Sequence, residues 1–149
     1  MRAARVAAVA ALALAGCGSS KPDAMPAACL GDHAALTAAL ARAPAPVSLA
    51  GGTRLSRCVS TAGAGGDLQS LGIALTQIAD ELRARADGDG AAALQLGYLV
   101  GAVRRGAAGT PGVASQLARR VEASSAPQLA GARERGQLER GIRLGEAGG

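Results

Sequence analysis

At 149 residues the chain has length for one small domain and a tether. Its 16 basic and 11 acidic residues leave a net charge of +5, with the two signs interleaved, and it contains one Tyr and no Phe or Trp. Nucleic-acid binding calls for a basic face and usually stacking aromatics, so that class is excluded. The same lack of rings limits the core to Leu, Ile, Val and Ala, and helices built from these must approach closely through small residues. Fifteen of the 16 basic residues are arginine, a bias of composition that fits a GC-rich genome and carries no function.

The chain opens with Arg2 and Arg5, then a ten-residue apolar run from Val6 to Ala15, then Leu14-Ala15-Gly16-Cys17. A positive start, a short apolar middle and small residues before a cut form an export signal. Leu-Ala-Gly-Cys resembles the lipobox of bacterial lipoproteins. The resemblance implies cleavage before Cys17, a diacylglyceryl thioether on its sulfur, and attachment to the extracytoplasmic face of the cell membrane. An ordinary cleaved signal is the other reading, since Ala13-Leu14-Ala15 offers an Ala-x-Ala site. Ten apolar residues are too few for a retained span, which needs about 20. Removal of the leader takes Arg2 and Arg5 with it and lowers the net charge by two.

Three cysteines are an odd number for an exported chain. If Cys17 is consumed as a thioether, Cys29 and Cys58 remain and can pair, closing a loop of about 30 residues worth about 3–4 kcal/mol. A redox role is disfavoured because no Cys-x-x-Cys occurs.

The expected organisation is a signal peptide over 1–16, a lipidated flexible tether over 17–27, and a helical domain over 28–149. Within the domain, 28–62 is the disulfide-stapled part, 67–123 holds the main helices, and 128–149 is weakly held. Asp32 reads as the N-cap of a short helix from His33 to about Arg42, ended by the Ala-Pro-Ala-Pro of 43–46. A short helix is expected over about 53–61, and residues 63–66 form a glycine-rich connector. Asp67 opens an amphipathic helix to Ala86, with Leu68, Leu71, Leu75, Ile78 and Leu82 on one stripe and Glu81–Arg85 as an outer pair.

After the turn Asp87-Gly-Asp-Gly90, a helix over about 91–108 carries Leu96, Leu99, Val100 and Val103. Ala93, Gly97 and Gly101 make a small-xxx-small ridge along its edge, expected to pack onto the Leu68–Leu82 stripe. Thr110-Pro111 reads as the start of a helix to Ala123 with Val113, Leu117 and Val121 inward. In the last segment, 128–144, Leu129, Leu138 and Ile142 are the apolar points and Glu139–Arg143 a supporting pair. Gly131, Gly136, Gly141 and Gly145 predict a frayed or partly docked helix. The class is all-α, a small antiparallel bundle of four to five helices. Leu96-Gly-Tyr-Leu-Val-Gly-Ala-Val103 and the cysteine pair are also similar to small lipoproteins of GC-rich bacteria, from which no activity carries over.

No catalytic constellation is expected. His33 near Cys29 and Asp32 suggests a metal site, but a disulfide would take the thiolate and no second histidine completes a zinc set. Asp87-Gly-Asp-Gly90 lacks the remaining calcium-loop ligands. No Gly-x-Ser-x-Gly occurs, and Asp80 and Glu81 point apart. Arg104-Arg105 and Arg119-Arg120 either meet anionic partners or complement helix dipoles. The expectation is a membrane-anchored envelope lipoprotein, non-enzymatic, without cofactor or metal, serving interaction, scaffolding or sensing with an envelope protein partner. One alternative is a small apolar-ligand carrier with a cavity lined by Leu75, Leu96 and Leu99. A further one is an envelope hydrolase built on His33.

Overall fold

The computed structural model describes residues 24–62, 66–110, 112–125 and 129–149, so the leader and Cys17 lie outside the described residues. The helix with apolar character on most sides sits in the middle, as burial requires of such a sequence. This is α4 (Gly90–Ala107), and it packs against each of α2 (Leu55–Thr61), α3 (Gly66–Ala86), α5 (Val113–Ser125) and α6 (Ala132–Gly148). The short α1 (His33–Leu40) and a 3₁₀ turn, Ala27–Leu30, cover one side of α3. The all-α class is the class observed among the described residues. Six α-helices are present there once the two short N-terminal ones are counted.

The α3 stripe is where its spacing puts it. Leu68, Leu71, Leu75, Ile78 and Leu82 are all buried against the bundle. Asp32 caps α1, its Oδ1 accepting from Ala35 N–H at 2.8 Å. The turn between α3 and α4 reverses the chain through Gly88 at φ +95°, and Asp89 then caps α4 by accepting from Ala91 and Ala92 N–H. The short connections after α3 and α4 set α3 and α5 antiparallel to α4, whereas α4 and α6 run the same way, Gly97 lying against Leu138 and Gly101 against Ile142.

Three details differ from the expectation. The start of α5 is not at Thr110: the Thr110 N–H instead donates to Ala107 O and closes α4, next to Gly109 in the left-handed conformation. Gly112, at φ +97°, provides the first helical carbonyl of α5, accepting from Gln116 N–H and Ser115 Oγ; Pro111 lies outside the described residues. Glu81 meets His33 of α1 at 3.2 Å and forms no ion pair with the expected Arg85. The largest difference is α6. It is neither frayed nor loosely held but lies flush along α4, with Gly141 and Gly145 buried in the contact.

Candidate functional site

The α4–α6 contact is a seam of interlocked glycines. A β-carbon on Gly97 would fall 2.0 Å from Leu138 O, and one on Gly101 would fall 2.1 Å from Ile142 O. In return, β-carbons on Gly141 and Gly145 would fall 2.1 Å from Leu94 O and 2.2 Å from Tyr98 O. Each glycine therefore presents its Cα hydrogens to a carbonyl of the other helix, the arrangement of Cα–H···O contacts worth about 0.5–1 kcal/mol each. The ridge expected to face α3 thus faces α6, and the glycines expected to weaken α6 are what dock it. Leucines fill the α3–α4 space, whereas two Gly-x-x-x-Gly faces fit only one another at backbone distance. Gly106 does similar work at the other end of α4, where a β-carbon would meet Ser56 O of α2 at 2.5 Å.

The ionisable groups near this seam serve the helices. Arg105 Nη1 donates to Glu146 O at 2.6 Å and Ala147 O at 3.0 Å, satisfying two carbonyls at the end of α6. Arg104 bridges Glu122 of α5 at 2.7 Å and Glu146 of α6 at 3.6 Å. Its hydrogen bond to Glu122 holds its pKa above the usual arginine value. Of the two arginine pairs, Arg104-Arg105 is engaged within the fold. Tyr98 is buried on α4, and that burial raises its pKa against a backbone hydrogen bond at Val47 and the charges of Arg54 and Arg105.

The structure joins Cys29 to Cys58 with their α-carbons 5.3 Å apart, tying the first 3₁₀ turn to α2. Both half-cystines are buried. His33 stands apart from them functionally. Its Nε2 contacts Glu81, and the Asp32 carboxylate is occupied by its cap, so the three do not converge on a shared ligand position. Leu75, Leu96 and Leu99 are fully buried in the close-packed core, and none of them lines the groove described next.

That groove, of about 770 Å³, runs on the outside between α3 and α5. Its volume lies within the range of small-molecule clefts. Gly72 forms its floor, where a β-carbon would touch Leu117 Cδ1 at 3.4 Å. Ile73 and Val113 stand at its edges, each 53% exposed. Together with Leu30 they are the large exposed hydrophobic residues among those described. The sequence carried a signal for Ile73, which is out of phase with the Leu68–Leu82 stripe and so had to point away from the core. Val113 continues the Leu117–Val121 spacing, which places it inward, but as the first residue of α5 it stands exposed at the edge of the groove. No family model matches the chain, and neither a curated protein nor a solved structure shows significant similarity to it.

Proposed function

We propose that this is a lipid-anchored cell-envelope protein that works by binding, without catalysis, and that the α3–α5 groove is its binding surface. The observation that carries the reading is the pair of exposed apolar side chains, Ile73 and Val113, flanking a groove backed by a buried core. Exposed apolar surface rimmed by polar groups is characteristic of interaction sites. The titratable residues near the helix contacts are spent on holding helices: Asp32 and Asp89 as caps, Arg104 and Arg105 as clamps, His33 against Glu81. Attachment through Cys17 rests on the leader pattern. No helix among the described residues is long and apolar enough to cross a membrane.

The test is a cross-linking experiment in intact envelopes of the native host, with a photoreactive residue at position 73 and, as a control, at the exposed Leu30. Cross-links confined to position 73 and lost in a Cys17→Ala form are expected. Equal capture from both positions would remove the groove from the reading, and equal capture by the Cys17→Ala form would remove the anchor.

A further inference from the structure

We propose that the α3–α5 groove takes a single-chain anionic amphiphile, a medium-chain fatty carboxylate, with its tail between Ile73 and Val113 and its headgroup on Arg120. This rests on the reading of the groove as a binding surface and gives that surface a ligand.

The two walls change character along their length. On α3, Leu68, Gly72 and Ile73 are followed by Thr76 and Gln77. On α5, Val113 and Leu117 are followed by Arg120, Ala123 and Ser124. Because α3 and α5 both run opposite to α4, these gradients run the same way. One end of the groove is therefore apolar, edged only by Gln69 and Gln116, and the other is polar. Between Leu68 and Gln77, nine residue steps at 1.5 Å give a length of about 14 Å, and between Val113 and Ser124 about 16 Å. That is a slot for one extended chain of about ten carbons.

Charge selects the headgroup. Arg120 is the one charged residue lining the groove among the described residues, and no carboxylate lines it. Unlike Arg104, which two glutamates hold, Arg120 enters no ion pair among the described residues. A guanidinium with free donors at the polar end of an apolar slot favours a carboxylate headgroup over a neutral one. A partner helix is a poorer occupant. Helix-in-groove docking wants apolar contacts at successive turns along the whole groove, and here Thr76, Gln77, Arg120 and Ser124 take up half of it.

The experiment uses the full chain, purified from its host and reconstituted in phosphatidylcholine nanodiscs, with diazirine-tagged decanoate as the probe and peptide mapping as the readout. Saturable labelling confined to 68–77 and 113–124 is expected, with decanoate competing about tenfold better than its methyl ester. Arg120→Ala should erase that preference, and Arg119→Ala, one residue away and outside the lining, should keep it. Ile73→Glu should abolish labelling with the thermal unfolding curve unchanged. Diffuse or non-saturable labelling, or equal competition by acid and ester, overturns the proposal. So does a cross-link from position 73 that joins two copies of the chain. If no fatty acid is captured while position 73 still cross-links an envelope component, the ligand is wrong and the binding-module reading stands; if both fail, both fall.

Discussion

Gly97 lies directly against the carbonyl oxygen of Leu138, with no room for a β-carbon between α4 and α6. Backbone blocks the site on both sides, since Ile142 N would be 2.9 Å from the same β-carbon. Gly97→Ala therefore forces the helices apart. Overpacking of this kind costs about 1–3 kcal/mol or more, against which alanine regains about 1 kcal/mol of helix propensity. Gly136, on the open side of α6 with nothing within 4 Å of a β-carbon, is the control. Gly136→Ala should stabilise by about 0.5–1 kcal/mol. Thermal unfolding followed by circular dichroism should thus move in opposite directions, by roughly 4 °C per kcal/mol for a domain of this size. A Gly97→Ala protein at least as stable as the parent would show that the seam is not close-packed.

The elements themselves were legible in the sequence because their signals are local. The Leu68–Leu82 spacing gave α3, and Asp32 gave the start of α1. What escaped was pairing. Glycine at four-residue spacing marks a helix face made for close approach but says nothing of its partner, and Gly141 and Gly145 read equally well as breakers. Propensity argues against α6, yet a second glycine face offered by α4 overrides it. The groove was hidden for a related reason: it needs Ile73 of α3 and Val113 of α5 to line one surface, which only the packing of both helices on α4 and on each other decides.

The bond between Cys29 and Cys58 closes 29 residues of sequence separation and anchors an N-terminal part whose helices are only eight and seven residues long. Such helices do not persist alone in water. Reduction, or Cys29→Ser with Cys58→Ser, should lower stability by about 3–4 kcal/mol, and hydrogen exchange should rise first in α1 and α2. Non-reducing mass spectrometry should yield a linked Cys29–Cys58 peptide. Two free thiols after anaerobic preparation would refute the pairing.

The anchor has its own test. Intact-mass analysis of protein from the native host should give a chain that begins at Cys17 and carries a diacylglyceryl adduct, and globomycin-type inhibition of the lipoprotein signal peptidase should leave the leader attached. A chain cut after Ala15 with an unmodified sulfur would instead establish the ordinary signal that Ala13-Leu14-Ala15 permits.

Tyr98 gives the fold a dependence on alkaline pH that can be read on one chromophore, since it is the single tyrosine. Burial on α4 raises its pKa above 10.0, with the Val47 backbone and the charges of Arg54 and Arg105 acting in the opposite sense. In the unfolded chain the phenol ionises near its ordinary value of about 10. Above that pH the unfolded state releases a proton that the folded state still holds, so stability falls with rising pH until the folded pKa is passed. The contribution is fully present below about pH 10. Denaturant unfolding at increasing alkaline pH should therefore lose stability in step with the phenolate absorbance of the unfolded chain, and Tyr98→Phe should flatten that part of the curve. A native-state phenolate titration at or below the ordinary value would mean that Tyr98 is in contact with water and that α4 is not the buried centre of the bundle.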